Sequence, residues 1–275
     1  NWQVVQAPFE GRVLEGCWSI HLMVIRHPYL DNTTPIAFAH RGGTSAAPEN
    51  TIRAFDDAIN LGYRYIETDV HATSDGKLVA FHDNDLQRTC GKPWRIEETD
   101  WETLSTARID GSDPIPLLDD LLSTWPNVRI NIDCKSDAAM RPLIDTIRQT
   151  NCLDRICVGS FSDKRLRHIR SELGAGLCTS MGPQEVARLV LASTTGIPIS
   201  PSRHALVAQV PVRQGPIAVV TRRSIARAHE LGLQVHVWTI DDPLQMSQLL
   251  DMGVDGIMTD DTRALKDVFV ARNLW

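Results

Sequence analysis

The chain has 275 residues, 43% of them hydrophobic and 23% charged, a globular composition with enough apolar material for a full core, which excludes disordered and fibrous classes. Its 28 basic and 34 acidic residues give a net charge of −6 with no basic run, so a nucleic-acid partner or an anionic membrane surface has little electrostatic support. Six cysteines without a Cys-x-x-Cys pair read as reduced thiols of a cytoplasmic protein.

Residues 1–34 show no clear hydrophobic period and read as an N-terminal extension partly outside the fold, with residues 1–22 lying upstream of a more ordinary run that opens at Met23. The apolar patch from Cys17 to Ile25 is interrupted by His21, which makes it too short and too polar to span a membrane. It also lacks the basic segment and small-residue cleavage site of a secretion signal.

From residue 35 to 275 apolar strand-like runs alternate with amphipathic helical patterns, as expected of a single domain. Strands are expected at Ile36–Ala39, Tyr65–Val70, Val128–Asp133, Ile156–Ser160, Gly176–Thr179, Leu206–Val210, Gln234–Thr239 and Gly256–Thr259. Helices are expected at Glu49–Leu61, Leu117–Trp125, Ala138–Thr150, Asp163–Leu173, Pro183–Ser193, Thr221–Leu231, Asp242–Met252 and Asp261–Arg272. Eight such units imply an α/β fold closed into a parallel (β/α)8 TIM barrel. Leu78 to Phe81, reached through an Asp75-Gly76 turn, reads as a small hairpin inserted after the second strand, and Gly196 to Arg203, with Pro198 and Pro201, as a loop or broken strand.

Barrels of this kind work from the C-terminal ends of their strands, and the polar residues of this chain collect there. His40 and Arg41 follow the first strand, Glu67 and Asp69 sit two apart on one face of the second, and His82 leaves the hairpin. Asp133 and Lys135 end the third strand, Phe161 follows the fourth, and Trp238 lies near the end of the seventh. Glu67, Asp69 and Asp133 together suit one hard divalent cation, Mg²⁺ or Ca²⁺, although for any one of them alone a helix cap or pairing with Arg53 or Arg64 is the commoner explanation. His40 and His82 suit a general acid and base, each with a structural histidine as the alternative reading. Arg41 offers a bidentate clamp for a phosphate and Lys135 a second positive charge, and either could instead form a surface ion pair.

AHRGG (39–43), PENT (48–51), ETDVHATSDG (67–76), LVAFHD (78–83), NIDCK (131–135), VHVWTIDD (235–242) and MGVDGIMTDD (252–261) occur in the order found in the glycerophosphodiester phosphodiesterases, which the chain resembles in their short-insert bacterial form. The resemblance implies a metal-dependent phosphoric diester hydrolase in which His40 and His82 form the acid–base pair and Arg41 and Lys135 hold the phosphate. It further implies that Glu67, Asp69 and Asp133 hold the metal and that Glu49 orients Arg41 or a metal ligand. Phe161 and Trp238 are candidates for gripping the glycerol or the alcohol, with barrel packing as the alternative for Trp238. One departure is Asp133, a position where the family often has Glu, one methylene longer. The implied substrate is a small-molecule glycerophosphodiester, cleaved to glycerol 3-phosphate and an alcohol without stable membrane insertion. A lysophospholipase D acting on lysophospholipids is the alternative activity. A phosphatidylinositol-type phospholipase C is disfavoured by the motif order, and a non-catalytic binding module by the completeness of the His and carboxylate set.

Overall fold

The computed structural model describes residues 27–199 and 205–275. Its strands are β1 (Ile36–Ala39), β2 (Tyr65–Ala72), β3 (Leu78–Ala80), β4 (Arg129–Cys134), β5 (Ile156–Gly159), β6 (Cys178–Ser180), β7 (Ala205–Pro211), β8 (Gln234–Trp238) and β9 (Gly256–Thr259). Between and after them run α1 (Ile52–Asn60), α2 (Leu118–Thr124), α3 (Met140–Thr150), α4 (Asp163–Leu173), α5 (Pro183–Thr195), α6 (Arg222–Glu230), α7 (Pro243–Met252) and α8 (Thr262–Ala271). The sheet runs β1-β9-β8-β7-β6-β5-β4-β2, and parallel pairing of β1 with β2 closes it into the expected eight-stranded barrel. β3 folds back antiparallel on β2, with Val70 opposite Ala80 and Ala72 opposite Leu78, so the predicted hairpin is the ninth strand.

Two cores follow from the period-2 alternation of the strands. Outward residues such as Ile66, Val70, Ile130, Ile132 and Val158 pack under the helices. Inward residues Ile36, Phe38, Tyr65, Cys157, Cys178, Val207 and Met258 fill the barrel. Tyr29, fully buried, and Leu30 join this inner cluster, and the Tyr65 hydroxyl donates to the Tyr29 carbonyl at 2.6 Å. Of the expected N-terminal extension, the described part from His27 to Thr34 therefore belongs to the fold, and residues 1–26 lie outside the described residues.

Several boundaries differ from the sequence reading, two of them for a clear local reason. PENT does not open the first helix: Asn50 takes a left-handed conformation (φ 54°), and Thr51 caps the helix, its hydroxyl accepting from the Ala54 N–H at 3.1 Å. The fifth strand begins at Cys178 because Gly174–Gly176 forms a 3-10 turn. The proline-containing loop lacks regular structure at 196–199, and its remainder, 200–204, lies outside the described residues.

The insertion after β3 carries one-turn helices at Gln87–Cys90 and Trp101–Leu104 and a two-residue ribbon pairing Arg108–Ile109 with Asp113–Pro114. It has an apolar cluster of its own, including Val79, Phe81, Leu86, Ile96, Leu104 and Ile109. The five described cysteines are free and Cys17 lies outside the described residues. No helix among the described residues is long and apolar enough to cross a membrane.

Candidate active site

β1 delivers His40 and Arg41 into the barrel mouth through a turn that requires its two glycines. Gly42 (φ 84°) lies so close to α1 that a Cβ there would meet the Phe55 nitrogen at 2.8 Å and the Ala54 Cβ at 2.9 Å. His40 Nδ1 lies 2.7 Å from Asp260 Oδ1, and its Nε2 lies 3.8 Å from Glu67 Oε2. A carboxylate on Nδ1 fixes the ring's orientation and leaves Nε2 to face the cavity. Burial pulls the His40 pKa down, but the charges of Glu67 and Asp260 outweigh it and the net direction is upward. Asp260 is positioned in turn by Asp241, whose Oδ1 accepts its backbone N–H at 2.8 Å.

His82 has the same kind of support. Its Nδ1 lies 2.6 Å from Asp83 Oδ1, and its carbonyl accepts a hydrogen bond from His71 Nε2 at 3.1 Å. Asp83 is gripped by Arg88 at 2.7 Å through Nε and 3.2 Å through Nη2. Hydrogen bonding to Arg88 is the main influence holding the Asp83 carboxyl down at about 2. Arg88 also forks onto Glu49 at 2.6 and 3.0 Å, and Glu49 accepts from Arg41 Nη1 at 3.1 Å. One run of contacts, His82–Asp83–Arg88–Glu49–Arg41, thus joins the hairpin to the end of β1. Burial works to raise the Glu49 carboxyl, yet Arg88 and Arg41 bring its pKa below the ordinary value.

Glu67 and Asp69 point to the barrel interior from β2, as their spacing predicts, and Asp133 stands opposite Asp69 in the β2–β4 register. Lys135 Nζ bridges Asp69 Oδ1 and Asp133 Oδ2, each at 2.8 Å. Arg41 Nε lies 3.2 Å from Asp69 Oδ2, and the Arg41 backbone N–H donates to Glu67 Oε2 at 3.1 Å. These cations offset the burial of Asp69 and lower its pKa. Burial, reinforced by the charge of Asp69, pushes Glu67 up to about 7. Burial also raises Asp133, whose Oδ1 is enclosed without a hydrogen-bond partner. Among the described residues no three His, Cys, Asp or Glu close around one point as a ready-made metal cage. Two of the three carboxylates are nonetheless under-compensated, and all three supply the oxygen donors that a hard divalent cation takes.

A cavity of about 810 Å³ is lined by His40, Arg41, Glu67, Asp69, His82, Asp133, Lys135, Phe161 and Trp238, so nine of the ten residues singled out from sequence meet in one space. The tenth, Glu49, instead lines a neighbouring cleft of about 460 Å³ together with Arg88 and holds Arg41 from behind. Phe161 and Trp238 stack edge to face with ring centres 5.7 Å apart, and Lys135 Nζ lies 5.6 Å from the Phe161 ring centre. Trp238 also packs on the inner barrel cluster, so packing and cavity lining are both true of it. Arg53, an alternative partner for Glu67, Asp69 or Asp133, pairs with Asp113 of the insertion instead. Sequence reasoning assigned no role to Asp260, Asp241 or Arg88. The first two lie within quoted motifs, MTDD and TIDD, while Arg88 sits in a stretch without pattern.

Residues 40–264 match the glycerophosphoryl diester phosphodiesterase family model. A probable glycerophosphodiester phosphodiesterase 2 of Mycobacterium tuberculosis is 39% identical over 248 residues, covering 87% of this chain and 92% of that one. Among solved structures, a putative glycerophosphoryl diester phosphodiesterase of Silicibacter pomeroyi superposes with a TM-score of 0.73 at 20% identity, covering 88% of this chain and 96% of its own. A phosphodiesterase of Oleispira antarctica, solved with the product sn-glycerol-3-phosphate, gives 0.72 at 19% identity, covering 86% and 97%.

Proposed function

Because the chain belongs to the glycerophosphoryl diester phosphodiesterase family, we propose that it hydrolyses glycerophosphodiesters to glycerol 3-phosphate and an alcohol by histidine acid–base catalysis with a divalent cation. The observation that carries this reading is the pair of carboxylate-backed histidines, His40–Asp260 and His82–Asp83, facing one cavity that also holds Arg41 and Lys135.

A phosphodiester resists attack because its anionic oxygens repel the nucleophile. Arg41 and Lys135 place two positive charges at the mouth to offset that repulsion as charge develops in the transition state. Glu67, Asp69 and Asp133 would hold a Mg²⁺ or Ca²⁺ ion, which when bound supplies further charge stabilisation. One histidine takes the proton of the attacking oxygen at Nε2, and the other returns a proton to the oxygen of the departing alcohol. Asp260 and Asp83, each on Nδ1, keep both rings aimed and stabilise the protonated form. Phe161 and Trp238, in edge-to-face contact on the cavity wall, offer the glycerol or the alcohol an apolar surface to pack against.

The attacking oxygen is either water or the glycerol 2-hydroxyl, the second route passing through a cyclic phosphate that water then opens. A substrate lacking the 2-hydroxyl separates them: unchanged turnover rules out the cyclic route. The reading as a whole is tested by following glycerophosphocholine by ³¹P NMR, with and without chelator. Glycerol 3-phosphate accumulating only in the metal-replete sample is expected, and absence of cleavage of any glycerophosphodiester in the presence of Mg²⁺, Ca²⁺ or Mn²⁺ overturns it.

A further inference from the structure

The charged groups of the mouth gather on one part of its wall. His40 and Arg41 leave β1, Glu67 and Asp69 lie on β2, His82 follows β3, and Asp133 and Lys135 end β4. The wall from β5 to β7 presents Gly159, Ser180 and Gln209 to the same cavity, and Asn131 joins them from one layer deeper on β4. None of these four carries a charge.

Gly159 is the residue to explain. A glycine inside a strand weakens it, and no turn demands one here, because Gly159 does not take a positive φ. Close packing does not demand it either. Among the described residues the heavy atoms within 4 Å of the point where its Cβ would stand, chain neighbours aside, are Gln209 Oε1 and Ser180 Oγ, each at 3.4 Å. The missing side chain therefore leaves a notch in the cavity wall, edged by two oxygens.

Gln209 is anchored, since its Nε2 donates to Asn131 Oδ1 at 2.7 Å and Asn131 is buried. With the amide nitrogen committed on that side, Oε1 is left for the notch. A glutamine oxygen accepts, and a serine hydroxyl both donates and accepts, so the group that satisfies the pair is one that does both, a hydroxyl. An apolar group would strip water from both oxygens and give them nothing in return. A cation finds no free counter-charge, because Asp133, opposite Gly159 in the β4–β5 register, is already engaged by Lys135 at 2.8 Å.

The spacing identifies which hydroxyl. Neighbouring strands lie about 4.8 Å apart. The terminal oxygen of the glycerol is five bonds from phosphorus, roughly 6 Å when extended at about 1.2 Å per bond. A phosphate held by Lys135 at the end of β4 thus brings that oxygen to β5, while the 2-hydroxyl branches off closer to phosphorus.

We propose that the notch of Gly159, Ser180 and Gln209 binds the terminal hydroxyl of the substrate's glycerol, so that the site selects diesters in which that hydroxyl is present and unsubstituted. The proposal rests on the phosphodiesterase reading above and leaves its bond cleavage unchanged.

The test compares kcat/KM for glycerophosphocholine with that for its analogue bearing a methyl group in place of the terminal CH2OH. In the parent enzyme the ratio is expected to be roughly 10- to 100-fold, because two hydrogen bonds vanish and their partners stay unpaired. In Gln209→Leu and in Ser180→Ala the ratio is expected to fall at least three-fold, and in Gly159→Ala, whose methyl fills the notch, to near unity. A residue with a merely structural role would lower both substrates alike and leave the ratio where it was. Thermal unfolding is the folding control, and Gly159→Ala, with contacts of 3.4 Å, supplies the readout should Gln209→Leu fail to fold. Cleavage of glycerophosphocholine with a parent ratio under ten-fold overturns this proposal alone. A larger ratio that falls less than three-fold in every folded variant overturns its assignment to the notch. Failure to cleave any glycerophosphodiester with Mg²⁺, Ca²⁺ or Mn²⁺ overturns the phosphodiesterase reading itself.

Discussion

Arg88→Ala separates a catalytic support from a structural tie. Arg88 is half exposed, so solvent screening holds each of its carboxylate pairs to roughly 0.5–1 kcal/mol, about 1–2 kcal/mol for Asp83 and Glu49 together. In a chain of this size that lowers Tm by roughly 2–4 °C. The cost to activity is larger. Without Arg88 the Asp83 carboxyl loses the main influence holding it near 2, but it stays ionised at neutral pH, so His82 keeps a charged partner and loses that partner's fixed position. Glu49 is released at the same time, and with it one anchor of Arg41. Removing groups that orient an active-site side chain from behind typically costs about 10- to 100-fold, and kcat/KM on glycerophosphocholine is expected to fall by that amount. Arg88→Lys, a point charge unable to fork onto both carboxylates, is expected to fall between Arg88→Ala and the parent. The assay is kcat and kcat/KM from pH 5 to 9 with thermal unfolding alongside. A variant within two-fold of the parent in kcat/KM whose Tm drops as calculated would show that the bridge ties the insertion down and does nothing for proton transfer.

His40→Ala and His82→Ala should each reduce kcat by about 10²- to 10⁴-fold with little change in Tm, and either variant retaining more than a tenth of the parent rate sinks the acid–base assignment. Glu67→Gln probes the buried carboxylate. Its pKa is raised from 4.5 to about 7, so the folded state holds that proton more tightly than the unfolded one. The stability tied to it is present below about pH 4.5 and is lost as the pH rises through 7, an effect on the order of 3 kcal/mol. At pH 8 the metal-free Gln variant should therefore resist urea better than the parent and should lose the stabilisation that Mg²⁺ or Ca²⁺ gives the parent; a lower urea midpoint contradicts this. Gly42→Ala must force a left-handed residue against the first turn of α1, and a loss of roughly 2–4 kcal/mol is expected by urea titration. A loss under 1 kcal/mol would mean that the turn relaxes.

The barrel and most of the site could be read from sequence for a local reason. A residue's face on a strand is set by counting in twos, so the inward placement of Glu67 and Asp69 and the position of His40 at a strand end follow from the chain itself. The carboxylate neighbours of Lys135 did not follow, because its bridge between Asp69 and Asp133 depends on the register of β2 against β4, and register is a pairing between distant segments. PENT was misplaced into a helix because Pro and Glu favour a helical start, while the left-handed Asn50 is held by the Arg41 carbonyl, which accepts its N–H at 2.8 Å. Arg88 was invisible for a similar reason: its two partners lie 5 and 39 residues away and no period connects them.

The insertion's separate apolar cluster has a consequence for kinetics. His40 is carried by the barrel, whereas His82 leaves a hairpin whose next residues build a different hydrophobic cluster. The spacing of His40 and His82 is thus governed by how one cluster seats on the other, through the β2–β3 ribbon and the Arg53–Asp113 and Arg88–Glu49 pairs. Substitutions inside that small cluster, such as Leu104→Ala, can change turnover without touching a group near the phosphate. Cooperative opening of the insertion alone would silence the enzyme while the barrel stays folded, so hydrogen exchange at residues 84–114 should track loss of activity at temperatures below the global melt.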